Sequence, residues 1–169
     1  MKKLFFTFLS LLFAGFIFAQ PGLKLGHINS QELLQAMPEN DTAQAKLEKI
    51  AKEFQSQIEA MQVEFNNKYQ DYTSKLSTFS DLVRQTKETE LQEMNQRIQQ
   101  FQTSAQEDMS KKRTEIYKPV LDKANKAISE VAKENNFTYI FDLSAGTVIY
   151  HADYSIDILP LVKQKLGLK

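Results

Sequence analysis

The sequence predicts an α+β protein: a long antiparallel α-helical coiled-coil hairpin projects from a small antiparallel β-body that is built from both chain ends. No glycine or proline interrupts the segment from Asp41 to about Asn95, and a sparser helical pattern follows it to Asn136. Apolar residues in this segment recur at steps of three and four, which places them on one stripe of a helix. Strand-like alternation is confined to the two ends of the chain.

Residues 1–19 have the pattern of an export signal. Lys2 and Lys3 form a basic start, an unbroken apolar stretch follows, and the small residue Ala19 closes it. A retained membrane anchor is disfavoured, because the apolar stretch is short for a span and no stop-transfer charges follow it. We therefore expect an exported and soluble mature protein.

Residues 20–40 are predicted to form the first part of the body. The stretch from Leu23 to Asn29 alternates apolar and polar residues, as a half-buried strand does. Ser30 is a suitable cap for a short helix from Gln31 to Met37, and Pro38 should end that helix because it cannot continue the backbone hydrogen bonds.

Residues 41–118 are predicted to form the helical hairpin, which we call the arm. Asp41 and Gln44 have the spacing of a capping box at its start. Serine and threonine are dense from Ser74 to Thr89 and weaken a helix there, so we place the tip of the arm near residues 77–87. The apolar stripe, which we call the seam, contains Leu47, Ile50, Phe54, Ile58, Met61, Phe65, Tyr69, Tyr72, Leu76 and Phe79, and on the return helix Leu91, Met94, Ile98, Phe101, Ala105, Met109 and Ile116.

Residues 119–169 are predicted to complete the body. Pro119 should kink the return helix where the arm meets the body. Phe137 to Leu143 and Thr147 to His151 have the composition of two strands joined by a short turn, which predicts a β-hairpin. The remaining signals are Asn135 and Asn136 at the end of the return helix, Asp157 as the cap of a last helix, and Gly167 at its end.

The composition excludes several classes of function. The chain has no cysteine, which removes disulfides, thiolate metal sites and thiol nucleophiles. After removal of the signal, 19 basic and 21 acidic residues leave a net charge of −2, which argues against nucleic acid as a partner. The glycines are scattered singly, so there is no glycine-rich phosphate loop. We predict no enzymatic activity and no cofactor.

Two histidines are candidates for a metal or acid–base site. His27 and His151 lie on predicted strands, and Asp153 is close to the second. Zinc normally takes three or four protein ligands, and the sequence does not cluster that many here. We therefore predict no metal and no catalytic residue, and we expect both histidines to lie at the surface of the sheet.

The apolar residues that a hairpin cannot bury are the main functional signal. Val63, Leu82 and Val83 fall off the seam or near the weak tip. Exposed, adaptable apolar surface flanked by charge suits the binding of unfolded proteins, which we call clients. The candidate client-binding residues are Val63, Phe65, Tyr72, Phe79, Leu82 and Phe101, of which the four aromatic residues also suit packing within the hairpin.

The small size of the body predicts oligomerisation. A core made only from the two chain ends is marginal by area scaling, and the chain has no disulfide to support it. Exposed strand edges favour pairing with another subunit. The candidate oligomerisation residues are Leu25, Ile28, Phe137, Tyr139, Ile140 and Val148.

Several strings resemble the Skp (OmpH-like) family of periplasmic outer-membrane-protein chaperones. They are the export signal, LKLGHINSQELLQAMPE, the long hairpin, KPVLDKANKAISEVAKENNFTYIFD and IDILPLVKQKLG, which together cover the mature chain. The resemblance implies a homotrimer joined through the β-body, whose three arms enclose unfolded outer-membrane β-barrel proteins without ATP. The best-known members are strongly basic and this chain is near neutral, which leaves contact with membrane or lipopolysaccharide open.

Two functions therefore compete. The first is an ATP-independent periplasmic holdase that prevents outer-membrane proteins from aggregating. The second is a structural or scaffold coiled coil of the cell envelope, in which the seam serves assembly only. Apolar residues away from the seam favour the holdase, because a spacer has no use for them.

Overall fold

The computed structural model describes residues 22–168, so the predicted signal lies outside the described residues. The chain forms a body, which contains three strands and two short helices, and an arm of two long helices. The elements in chain order are β1 Leu25–Ile28, α1 Ser30–Ala36, α2 Pro38–Lys75, α3 Asp81–Glu134, β2 Tyr139–Asp142, β3 Ile156–Asp157 and α4 Leu159–Lys165.

The helices α2 and α3 run antiparallel along the arm. Their contacts join the start of one to the end of the other, since Glu39 pairs with Lys123 and Phe54 packs against Phe101. At 1.5 Å per residue, the 38 residues of α2 extend about 57 Å and the 54 residues of α3 about 80 Å. The longer α3 continues through Pro119 into the body.

The turn at the tip is shorter than the predicted segment 77–87. A 3₁₀ turn at Leu76–Thr78 is followed closely by α3, which begins at Asp81. The Ser80 hydroxyl caps α3 by accepting a hydrogen bond from the backbone N–H three residues later. The hydroxyls of Thr86 and Thr89 donate to carbonyls four residues earlier, so these threonines are accommodated within the helix.

The first two helices start earlier than predicted. Asn29 rather than Ser30 caps α1, because its side-chain oxygen accepts a hydrogen bond from the backbone N–H of Glu32. The arm helix α2 begins at Pro38, three residues before the predicted capping box at Asp41. Proline is favoured at the first position of a helix, where an N–H would have no intrahelical partner.

The sheet is parallel, and the prediction of an antiparallel body was wrong. Its strand order is β2-β1-β3, with β1 parallel to both neighbours. The expected β-hairpin does not form: residues 147–151 have no regular structure, and the third strand is β3. Parallel strands require long crossover connections. The arm connects β1 to β2, and residues 143–155 connect β2 to β3.

The core of the body lies between one face of the sheet and the helices α1, α3 and α4. A single chain supplies all the residues of this core. The two chain ends therefore bury more apolar surface than the sequence suggested. Ile28, predicted as an oligomerisation residue, is buried in this core. Alanines of α3 let the helices approach closely. The most deeply buried side chains are Ile28, Leu33, Met37, Ile158 and Val162.

The last turns of α3 and α4 end in the same way, and both predicted ends are confirmed. Asn136 and Gly167 have positive φ angles of 57° and 70°. The N–H groups of Phe137 and Leu168 each donate to a carbonyl five residues earlier, at 2.9 Å. This arrangement satisfies the free helical carbonyls and turns both apolar side chains onto the core.

Candidate functional site

The seam of the arm is narrow, and only a few of its residues are fully buried. Leu47, Met94, Ile98 and Ala105 are covered by the opposite helix, while the aromatic seam residues stay half-buried or exposed. A two-helix hairpin has no third element to cover its sides. The arm therefore presents apolar surface along much of its length.

Two of the candidate client-binding residues are exposed away from the seam. The side chain of Val63 is 57% exposed and that of Leu82 is 74% exposed. Both side chains therefore face solvent over more than half of their surface. They lie on different helices, one midway along α2 and the other in the first turn of α3.

The four aromatic candidates are half-buried and pack on neighbours in the chain. The Phe101 ring meets Phe54 edge-on, with ring centroids 6.2 Å apart. Phe65 stacks on Tyr69 at the same distance. The rings of Tyr72 and Phe79 are 6.2 Å apart near the tip, and this is the one pair of candidates that stacks together. The six candidates thus form a distributed surface rather than one pocket.

The tip is held by polar contacts as well as by these rings. The Tyr72 hydroxyl donates to the Glu88 carboxylate at 2.6 Å, and this bond raises the pKa of Tyr72. The Glu90 carboxylate pairs with Lys68 across the arm and with Lys87 on its own helix, which lowers its pKa. These exposed ion pairs contribute little stability singly, and of the two only the Lys68–Glu90 pair joins α2 to α3.

The outer face of the sheet carries a second apolar surface. Leu25, Tyr139 and Phe141 alternate with residues that face the core, so their side chains point away from it and are exposed. The rings of Tyr139 and Phe141 stack with centroids 6.4 Å apart. Of the other oligomerisation candidates, Phe137, Ile140 and Val148 are half-buried, and the first two pack on the core.

The segment between β2 and β3 adds exposed side chains that the sequence did not predict. Ile149, Tyr150 and Tyr154 are almost fully exposed. Ile149 and Tyr150 were missed because residues 147–151 were assigned to a strand, in which alternate side chains would be covered. The run of three apolar residues at 148–150 is the sequence signal against that assignment, since it breaks the alternation of a half-buried strand.

The histidines lie together, but not as surface strand residues. His27 is buried in β1, its imidazole stacks on that of His151 with centroids 4.7 Å apart, and its Nδ1 lies 2.8 Å from the Ser155 hydroxyl. His151 lies in an irregular segment rather than in a strand. Within residues 22–168 no group of three or more potential metal ligands occurs. The stack instead attaches the irregular segment to the sheet.

Asp142 is the other polar anchor of this segment. Burial raises the pKa of its carboxyl, but hydrogen bonds from Ser30 and Ser144 outweigh burial and lower the pKa below its usual value. The hydroxyl of Ser30 donates at 2.5 Å and the N–H of Ser144 at 2.9 Å. The carboxylate therefore ties the end of β2 to the start of α1.

No helix within residues 22–168 combines the length and the apolar character that crossing a membrane requires.

Comparison with known proteins gives a consistent result. The family model described as Outer membrane protein (OmpH-like) matches residues 24–166. The Chaperone protein Skp of Pectobacterium atrosepticum is 26% identical over 159 residues, which cover 92% of this chain and 94% of that protein. A crystal structure of an OmpH-like protein from Caulobacter crescentus superposes on this chain with a TM-score of 0.73 at 16% sequence identity. The superposition covers 86% of this chain and 85% of the other, so the two proteins share a fold.

Proposed function

Because the chain belongs to the Skp (OmpH-like) family, we propose that it is an ATP-independent holdase chaperone of the periplasm, which binds unfolded outer-membrane proteins and prevents their aggregation. The observation that carries this proposal is the exposure of Val63 and Leu82 away from the seam. The similarity to a protein named a chaperone, over nearly the whole chain, supports it. The export signal predicted in residues 1–19 supports the location.

The mechanism needs no chemical step. Apolar surface removed from water is stabilised without directional bonds, so many weak contacts hold a client without fixing its conformation. Holding apolar segments apart lowers the concentration of the species that aggregate. Exposed apolar side chains spread along an arm suit this task better than one deep pocket.

The experiment removes the off-seam apolar side chains. Val63→Ser combined with Leu82→Ser takes away contacts worth roughly 1–2 kcal/mol per side chain when fully buried against a client. We expect the double variant to require several-fold more protein to suppress the aggregation of an unfolded β-barrel protein, measured by light scattering without nucleotide. Because the surface is near neutral, raising the salt concentration should change this little.

The matched control is Gln62→Ser with Gln85→Ser, which shortens exposed polar side chains close to the same two positions. It should suppress aggregation as the parent does. Equal activity of the apolar double variant and the parent would remove Val63 and Leu82 from the client surface. A parent without any suppression would leave the envelope scaffold as the function.

We also propose that the outer face of the sheet joins three copies of the chain. Its exposed Leu25, Tyr139 and Phe141 form an apolar surface on the body, away from the arm. Phe141→Glu should turn the trimer into monomers in sedimentation and leave the helical content unchanged, since the ring lies outside the core. Leu82→Glu at the tip is the control and should remain trimeric. A trimer that survives Phe141→Glu would place the interface elsewhere.

A further inference from the structure

A groove runs between α2 and α3 in the half of the arm that is nearer the body. Its volume is about 810 Å³, within the range of ligand-binding clefts. Phe54 and Ile58 line it from α2, and Ala105 and Met109 line it from α3. Residues four apart share one face of a helix, so each pair forms a continuous apolar wall. The small side chain of Ala105 leaves the space open.

Within the described part of the chain, the only charged side chain that lines the groove is basic. Its lining includes the guanidinium of Arg113, which follows Met109 by four residues, and it includes no acidic side chain. Two nearby lysines, Lys112 and Lys118, are each paired with an acidic residue of α3. Among residues 22–168, no carboxylate lies within 4.0 Å of Arg113. A cation without an acidic partner therefore stands at the end of an apolar groove.

We propose that this groove holds a short extended segment of a client, with apolar side chains on its walls and an acidic side chain on Arg113. This inference rests on the proposed chaperone function and names the chemistry of one contact site. A guanidinium binds a carboxylate through two parallel hydrogen bonds, which makes an acidic group the complementary partner. The amides of Gln102 and Gln106, also in the lining, can both donate to and accept from a client backbone.

The length of the groove fits this occupant. The lining on α3 extends from Gln102 to Arg113, about 16 Å at 1.5 Å per residue. An extended chain rises about 3.3 Å per residue, so roughly five residues fit. Successive side chains of such a segment point to opposite sides, and two or three of them face the apolar walls. An alternating apolar and polar segment, as in a membrane β-strand, is therefore suitable.

The test uses three labelled nine-residue peptides with blocked ends. They share one alternating sequence of valine and threonine and differ only at the eighth position, which is Glu, Gln or Lys. Fluorescence anisotropy with the full mature protein at low salt measures their affinities. We expect the Glu peptide to bind about two- to fivefold more tightly than the Gln peptide, and the Lys peptide to bind most weakly, as for a partly exposed ion pair.

Arg113→Glu should reverse this order, so that the Lys peptide binds best. The matched control is Arg97→Glu, which introduces the same charge change on α3 at a residue outside the groove lining. It should keep the order of the parent. Met109→Gln should weaken all three peptides to a similar extent, because it shortens the apolar wall without altering charge. All three variants should retain the helical content of the parent.

Several results would overturn the proposal. Equal binding of the three peptides by the parent, or a reversal by Arg97→Glu as well, would mean that Arg113 does not select the occupant. A change of subunit number with Arg113→Glu would mean that a second copy of the chain covers the groove. No peptide binding together with suppressed aggregation would remove the groove and leave the chaperone function, whereas absent suppression would remove that function itself.

Discussion

Replacing Leu33 with alanine is expected to lower the free energy of unfolding by about 2–5 kcal/mol. Leu33 is the buried residue of α1, and its side chain is 0% exposed within the core of the body. Truncation loses the burial of the removed carbons and leaves a cavity that packed helices on several sides cannot close. Urea unfolding followed by circular dichroism measures the change.

Leu82→Ala is the matched control for this change, because it makes the same truncation at a side chain that is 74% exposed. Its free energy of unfolding should stay within about 0.5 kcal/mol of the parent. A loss below about 1 kcal/mol for Leu33→Ala would contradict the assignment of this residue to the centre of the core.

Replacing Ile98 with aspartate should separate the two helices of the arm. Ile98 lies in the seam and is 7% exposed. A carboxylate buried there loses its hydration, and to remain buried it would have to take up a proton, since burial raises the pKa of such groups by up to 3–5 units. At neutral pH the cost is limited to about 4 kcal/mol, because a carboxyl group with so high a pKa is then protonated. We therefore expect the arm to open around residue 98.

Hydrogen exchange measures this effect by region. Backbone amides of α2 and α3 in the arm should lose protection, while those of β1 and β2 keep it, because the arm and the body have separate buried residues. Gln99→Asp introduces the same carboxylate at the next, exposed position of α3 and should leave the exchange pattern unchanged. Unchanged protection in Ile98→Asp would show that the seam does not hold the arm together.

Local patterns in the sequence predicted the arm and the C-terminal ends of α3 and α4, whereas the start of α2 and the tip lay a few residues from their predicted places. The spacing of Leu47, Met94 and Ile98 identified the buried seam, and Asn136 and Gly167 marked the ends of α3 and α4. These features depend on residues a few positions apart, where helical geometry decides which side chains meet.

Local patterns did not predict how the strands of the sheet pair. A turn-like string after Leu143 favoured a hairpin, but β2 pairs with β1 more than a hundred residues earlier in the chain. Strand pairing depends on which backbone groups and apolar faces the helices bring together, and no local string records that. For the same reason the stacking of His27 on His151 was not foreseen.

The candidate site was predicted in part. Exposure of Val63 and Leu82 follows from their positions off the seam, and the structure agrees. The groove at Arg113 was not predicted, because the seam was defined by its apolar residues alone. A cation on the face of Ala105 and Met109, four residues after Met109, is the signal that identifies it.

The pairing of β1 with β2 across the whole arm also sets the order of folding. Closing a long loop costs conformational entropy, and contacts between distant segments form slowly. A folded arm places Glu39 beside Lys123 and so holds the two chain ends close together before the sheet exists. The hairpin can grow from contacts near its tip that are close in sequence, such as Tyr72 with Phe79, and should therefore form first and shorten the search. We accordingly expect Ile98→Asp to slow the refolding of the distant sheet in stopped-flow experiments, although it touches no residue of the body.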